Sequence, residues 1–218
     1  MSNNPLIDNT KFQRVQNTYI ILAFQLLITI LTVYYIRQTP SLQSQLQTWF
    51  WIPVILSFVL LFWMMYIHRT GTLNTRLVLF SLFSICLGTI CIASTKYVSA
   101  DVIQTSLQGV LIIFVVMSIV GYVLYKQNIS LEPLQLLLIF VLLGLIVGWL
   151  VAIFSRVSSQ MIRTMFIIGF VVFTLLIGVD TNRMLMQPVW KADSVHDAMS
   201  LYLDLMNLFQ QLVGLQQR

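Results

Sequence analysis

The chain has 218 residues, of which 58% are hydrophobic and only 9% are charged, and its formal net charge is +5. A soluble domain usually carries about a quarter charged residues, so this composition excludes an ordinary soluble protein. The basic residues are scattered singly near the ends of apolar runs, as in membrane proteins, and this excludes a basic patch for nucleic acid.

Long apolar runs indicate helices that cross a lipid bilayer, for which roughly 20 apolar residues are needed. Six runs of about this length contain no charge, at about 18–36, 49–67, 77–95, 102–125, 134–154 and 164–179. A seventh segment, about 196–215, has a helical period but is more polar. We therefore predict an all-α membrane protein, a seven-transmembrane-helix bundle over residues 18–215 that follows a polar N-terminal tail, residues 1–17.

Two acidic residues fall within the predicted membrane helices. Asp180 ends the sixth run, and Asp204 lies in the middle of the seventh segment. The connection between these helices is short, so we expect antiparallel neighbours that bring both carboxylates to a similar depth. A carboxylate in a bilayer costs about 2.5–3.5 kcal/mol on insertion scales and usually faces a bundle interior or a water-filled path. The pair is therefore a candidate functional site.

The chemistry of such a pair allows two interpretations. Neighbouring carboxylates cannot both ionise cheaply, so they can share a proton and form a pH-sensitive latch. Their oxygens could also receive a calcium ion transiently, although a tight calcium site needs roughly six to eight oxygens. The alternative is a hydrogen-bonded pair that only locks the two helices together. The residues alone leave both interpretations open.

Polar side chains recur every three or four residues along the seventh segment. They are Asp193, Asp197, Ser200, Asp204, Asn207 and Gln211. A polar stripe on a spanning helix predicts a helix enclosed by others and lining a wet path, with Ser200, Asn207 and Gln211 as pore-lining candidates. A helix lying on the membrane surface is the alternative, but it would carry basic residues on this face. Asp193 and Asp197 could contribute to a vestibule or cap the helix, and capping is the expected role because acids near a helix start stabilise its dipole.

Catalytic motifs are missing from the sequence. It contains no G-x-S-x-G-like nucleophile, and its two histidines, His68 and His196, lie at the ends of predicted helices. The spacing of Cys86 and Cys91 fits neither a redox pair nor a zinc site. We therefore expect no enzyme activity and no resident cofactor, with calcium only as a permeating or transiently bound ion.

The seventh segment also resembles a known family. Residues 200–209, SLYLDLMNLF, closely resemble the last-helix signature S-L-Y-L-D-x-x-N-L-F of the transmembrane BAX inhibitor motif family. Asp180 and Thr181 match the D-T or D-L near the end of that family's sixth helix. A weaker match in the first helix comprises Tyr19, Gln25, Leu26, Leu27 and Thr29. The resemblance implies six helices around a central C-terminal helix and a pH-sensitive calcium leak.

The resemblance further implies roles for individual residues. Asp180 and Asp204 correspond to the hydrogen-bonded pH sensor of the family, and they would be the transient calcium ligands. In some members a basic residue on the second helix is linked to this latch. The nearest candidate for a gating residue here is Arg69, beside His68 at the end of that helix, and an interfacial charge is the alternative.

Family members in eukaryotes and viruses are associated with suppression of cell death at the endoplasmic reticulum or Golgi, and bacterial members lie in the inner membrane. The expected partners are therefore the lipid bilayer, calcium ions and protons, with membrane protein partners in cell-death control, and we expect a monomer. Three functions stay open. They are a passive pH-gated calcium leak, a non-conducting interaction protein that suppresses apoptosis through partners, and a proton-coupled cation transporter.

Overall fold

The computed structural model describes residues 5–67, 70–155, 157–188 and 193–217, and within them the chain forms helices and no strand. The helices are α1 (Pro5–Gln38), α2 (Pro40–Thr48), α3 (Trp51–Tyr66), α4 (Leu73–Thr95), α5 (Ala100–Lys126), α6 (Glu132–Phe154), α7 (Ser159–Met186) and α8 (Ser194–Gln216). The prediction of an all-α membrane protein is confirmed.

The hydropathy pattern predicted seven membrane spans, but fewer of the described helices are both long and apolar enough to cross a membrane. Five helices are long and apolar enough to cross a membrane, namely α1 over Thr10–Gln38, α4, α5, α6 and α7. The apolar helix α3 has 16 residues, a length of about 24 Å. Helix α8 is not among the long apolar helices of the described chain, because of its polar stripe. Seven spans therefore stay a prediction.

Two helical segments lie outside the predicted spans because hydropathy does not report polar helices. Helix α2 has nine residues of mostly polar sequence and begins with Pro40 in its first turn, where proline is tolerated because its missing N–H has no helical partner. Helix α1 begins at Pro5, so it includes most of the segment predicted as a polar tail.

The chain divides into two compact units. The α3–α4 unit comprises Phe12–Tyr97 and Asp193–Tyr202, and the α5–α7 unit comprises Met1–Lys11, Val98–Ala192 and Leu203–Arg218. The first part of α8 therefore belongs to the α3–α4 unit and the remainder to the α5–α7 unit.

Close backbone contact holds the α5–α7 unit together, in which α5 and α6 both pack against α7. A Cβ atom at Gly121 of α5 would lie 2.5 Å from the carbonyl oxygen of Gly178 and 3.1 Å from the backbone nitrogen of Asn182, both on α7. Only glycine fits where the two backbones approach this closely. In lipid the hydrophobic effect does not drive helices together, so close packing of small residues does so instead.

The α3–α4 unit has an aromatic core beside the packed pair of helices α3 and α4. Tyr202, at the end of this unit's part of α8, is fully buried. Its ring makes edge-to-face contacts with Phe80 and Phe83 of α4, at centroid distances of 5.3 and 6.2 Å. Such aromatic pairs add about 0.5–1.5 kcal/mol beyond the area that they bury.

The exposure of apolar side chains identifies the lipid-facing helices. Ile112, Phe140 and Phe154, on α5 and α6, are 65%, 64% and 86% exposed, as expected of side chains that contact lipid. Helix α8 has the opposite pattern, because no residue from Ser194 to Leu215 is exposed. Burial on every face favours an enclosed helix over one that lies on the membrane surface.

Candidate functional site

Asp180 of α7 and Asp204 of α8 lie together in the α5–α7 unit. The two helices run antiparallel there, since Gly169, earlier on α7, lies against Gln211, later on α8. This arrangement brings the carboxyl groups of Asp180 and Asp204 into a hydrogen bond. Their side chains are 5% and 6% exposed. A hydrogen bond between two carboxyl groups requires a proton on one of them, so a pair in this position is chemically suited to share a proton.

Arg183 supplies a positive charge beside the pair. It lies three residues after Asp180 on α7, and its Nη2 atom is 3.5 Å from Asp180 Oδ1. Residues three apart share a helix face, so the sequence spacing alone could have identified this neighbour. The sequence analysis instead pointed to Arg69, which lies outside the described residues.

The protonation state of the pair sets the charge of this group of three side chains. With one shared proton, the single negative charge of Asp180 and Asp204 is balanced by Arg183. When the proton leaves, the two carboxylates repel each other and the group becomes negative overall. Charges in a low-dielectric surrounding interact strongly, so loss of such a proton would weaken the packing of α7 against α8 and would strengthen the attraction for cations.

Asn182 fixes the backbone on which Asp180 and Arg183 lie. Its Nδ2 atom donates to the carbonyl oxygens of Gly121, at 3.3 Å, and Ile129, at 3.0 Å, and its Oδ1 atom accepts from the backbone N–H of Leu131 at 3.1 Å. These bonds join α7 to α5 and to the turn that follows α5. The sequence analysis missed Asn182, because no local pattern shows that its partners lie more than 50 residues away in the chain.

The three pore-lining candidates, Ser200, Asn207 and Gln211, lie in different surroundings. Gln211 lies against Gly169, and a Cβ atom there would be 2.7 Å from its amide carbon. Asn207 donates from Nδ2 to the carbonyl oxygen of Leu203 at 2.9 Å, within its own helix. Ser200 is part of the other unit. The α5–α7 unit therefore holds Asn207 and Gln211 together with the aspartate pair, and Ser200 does not belong to that unit.

Two ion pairs in the α3–α4 unit involve the start of α8. Arg14 of α1 donates from Nε and Nη2 to Asp197 Oδ2, at 3.3 and 3.1 Å, and both side chains are buried. Arg76 of α4 pairs with Asp193, whose Oδ1 atom also accepts the backbone N–H groups of Val195 and His196. The expected capping role is therefore confirmed for Asp193. Asp197 forms a buried ion pair that the sequence analysis missed.

A hydrogen-bonded group of polar side chains lies deeper in the same unit. Ser84 Oγ donates to Gln25 Oε1 at 2.9 Å, and Gln25 Nε2 donates to Ser81 Oγ at 3.3 Å. Thr29 Oγ1 and the Tyr202 hydroxyl are 2.6 Å apart, at hydrogen-bonding distance. Gln25 and Thr29 thus join α1 to its neighbours, as buried polar groups must be satisfied within the protein in a bilayer.

The described residues therefore define an all-helical, multi-pass integral membrane protein with a buried pair of acids on its last two helices. The family model described as "Inhibitor of apoptosis-promoting Bax1" matches residues 11–217. The chain belongs to this family, and the resemblance seen in α8 is confirmed. A comparison with curated proteins found no match.

Proposed function

We propose that the protein is a passive, pH-gated calcium leak in which Asp180 and Asp204 form the proton latch. The observation that carries this proposal is the hydrogen bond between their carboxyl groups, buried on neighbouring helices. One shared proton joins Asp180 of α7 to Asp204 of α8 by a hydrogen bond. When this proton leaves, the two carboxylates repel each other. A proton therefore controls helix contact at the same group that attracts cations.

The same carboxylates support transient calcium binding in this proposal. Calcium prefers hard oxygen ligands, and a tight site uses roughly six to eight of them. No cluster of three or more His, Cys, Asp or Glu side chains occurs within the described residues, and Arg183 lies beside the pair. Two carboxylates next to a positive charge favour brief binding, which suits an ion that has to leave again.

The remaining parts of the proposal rest on this passive role and on membership of the family. The protein acts as a monomer without an enzymatic step or a resident cofactor, and calcium ions and protons are its small partners. Its location is the endoplasmic reticulum or Golgi in a eukaryotic or viral host, and the inner membrane in a bacterium.

A second candidate is a non-conducting interaction protein that suppresses apoptosis through membrane protein partners. The description of the matched family, an inhibitor of apoptosis-promoting Bax1, favours this candidate. Under this candidate the aspartate pair only joins α7 to α8, so the two functions differ in whether purified protein carries calcium.

Calcium flux into liposomes that contain the purified protein, measured at several pH values, tests the proposal. Asn at position 204 can donate a permanent hydrogen bond to Asp180, so we expect native flux to vary with pH and flux through Asp204→Asn to be independent of pH. Asp101→Asn is the matched control, because Asp101 is an exposed acid in the first turn of α5 and its replacement should preserve the pH dependence.

Three outcomes would each contradict a part of this proposal. Native protein that passes no more calcium than empty liposomes would favour the interaction protein. A folded Asp204→Asn variant that keeps the native pH profile would remove the latch from the mechanism. Proton uptake that accompanies calcium movement would instead indicate a coupled transporter.

A further inference from the structure

Several buried polar atoms of the α5–α7 unit have no hydrogen-bond partner among the described residues. They belong to Ser106 and Ser118 on α5, Thr174 and Thr181 on α7, and Asp204 and Gln211 on α8. Ser106 is fully buried and Thr181 is 2% exposed. A buried polar group without a partner costs about 1–3 kcal/mol, so such groups in proteins usually contact water or an ion.

The hydroxyl groups in this set differ from others in the chain. Serines and threonines inside helices commonly donate to the carbonyl oxygen four residues earlier. Thr105 does so to Asp101 at 2.8 Å, and Thr29 to Gln25 at 3.0 Å. Ser106, directly after Thr105, makes no such bond within the described chain. Its hydroxyl is therefore available to a partner that is not part of the protein.

The side chains of this set occur at successive turns of α5, α7 and the later part of α8, which belong to one unit. Gly121 contacts Gly178, and Ser118 and Thr174 lie one turn earlier on the same faces of α5 and α7. Farther from the aspartate pair, Gly169 of α7 contacts Gln211. Gln211 lies seven positions after Asp204 on α8, a rise of about 10 Å. The set therefore extends from the aspartate pair toward the C-terminal end of α8.

Gln211 has a specific place in this series. A Cβ atom at Gly169 would lie 2.7 Å from Gln211 Cδ, 2.9 Å from Oε1 and 3.1 Å from Nε2. The amide therefore occupies a notch that exists only because residue 169 is glycine. Its Oε1 atom is buried and accepts no hydrogen bond from the described residues. An amide oxygen is a hard ligand of the kind that replaces a cation's hydration shell in a channel.

We propose that these side chains line a hydrated cation path along α8, between α5 and α7, and that Gln211 is its narrow point and specificity-determining residue. The inference rests on the proposed calcium leak and extends it from the latch to the rest of the route. Water and a partly dehydrated cation supply the partners of the buried hydroxyls and of Gln211 Oε1. Gly169 is a positioning residue, because it acts through the amide that it accommodates.

Thiol labelling tests the hydrated path without any measurement of flux. We expect Ser118→Cys to react with a small water-soluble methanethiosulfonate reagent in liposomes. Ser84→Cys is the control and should not react, because Ser84 is fully buried and its hydroxyl is bonded to Gln25 in the α3–α4 unit, whereas Ser118 is half-buried with an unbonded hydroxyl among the described residues. Native protein, whose Cys86 and Cys91 are buried, measures the background. Labelling of Ser118→Cys no faster than Ser84→Cys overturns the path.

Calcium flux tests the role of Gln211. Gln211→Leu removes the coordinating oxygen, and we expect roughly tenfold lower flux with unchanged pH dependence, since one lost interaction of this kind raises a barrier by about that factor. Gly169→Ala displaces the amide and should lower flux similarly. Gly144→Ala is its control, because a Cβ there would meet no atom of the described residues within 4 Å beyond its own stretch of helix. Native flux in both Gln211→Leu and Gly169→Ala overturns the assignment.

The two measurements separate failure of the inference from failure of the leak. Native protein that conducts while Ser118→Cys stays unlabelled overturns the path and leaves the leak intact. Native protein that does not conduct contradicts the leak and, with it, the role given to Gln211. Labelling of Ser118→Cys in that same protein would still support a hydrated path.

Discussion

Ser84 on α4 and Ser106 on α5 are both fully buried, but they differ in how their hydroxyl groups are satisfied. Ser84 donates to Gln25 of the α3–α4 unit at 2.9 Å. Ser106, in the α5–α7 unit, has no hydrogen-bond partner within the described chain. Residue type and burial are the same, so the difference comes from the surroundings that each unit provides.

The same difference holds for the acidic residues of α8. Asp197, in the α3–α4 unit, accepts two bonds from Arg14, whereas Asp204, in the α5–α7 unit, has an oxygen atom, Oδ2, without a hydrogen-bond partner among the described residues. A fully satisfied polar network rigidifies its surroundings, whereas a buried polar atom without a protein partner is a place where water or an ion can bind. One end of α8 is therefore anchored by an ion pair, and under the proposed function the other end responds to protons and cations.

The largest effect is expected when the anchor is broken. Arg14→Met leaves Asp197 buried without its charged partner and should lower the free energy of unfolding by about 3 kcal/mol, measured by denaturant titration in detergent. Arg163→Met, which replaces an exposed arginine on α7, should change it little. The double variant Arg14→Met with Asp197→Leu should recover most of the loss, and an equal loss in Arg14→Met and Arg163→Met would contradict the anchor.

A smaller loss is expected for a serine of the satisfied network. Ser84→Ala removes the donor to Gln25 Oε1, so an amide oxygen stays buried without this bond. We expect the free energy of unfolding to fall by about 1–2 kcal/mol in the same titration. No loss of stability in this variant would show that the polar network of the α3–α4 unit contributes nothing to the fold.

The smallest effect on stability is expected for the serine of the proposed path. Ser106→Ala removes a hydroxyl that bonds to no described protein group, so no protein hydrogen bond is lost and the free energy of unfolding should change by less than about 0.5 kcal/mol. Calcium flux should fall, because the path loses one polar group. A stability loss as large as that of Ser84→Ala would show that Ser106 has a structural partner and would remove the contrast between the units.

The sequence alone was sufficient to predict the apolar helices and the meeting of Asp180 with Asp204. Hydropathy over about 20 residues predicted the apolar helices α4 to α7, since lipid selects for apolar residues wherever a helix crosses it. The polar helix α2 was missed for the same reason. The spacing of Asp180 and Asp204 across a short connection predicted that they meet, because antiparallel neighbours bring such positions to the same level.

Contacts between distant parts of the chain could be decided only by the tertiary structure. Arg14 and Asp197 are 183 residues apart, and nothing in either local sequence identifies the other as its partner. The same holds for the three hydrogen bonds of Asn182 and for the notch that Gly169 offers to Gln211. Whether a buried serine is satisfied, as Ser84 is, or available to water, as we propose for Ser106, depends on which helix faces it. The composition of a helix and the spacing of its polar residues determine that it is buried. The packing of neighbouring helices determines which hydrogen-bond partner each of its polar atoms has.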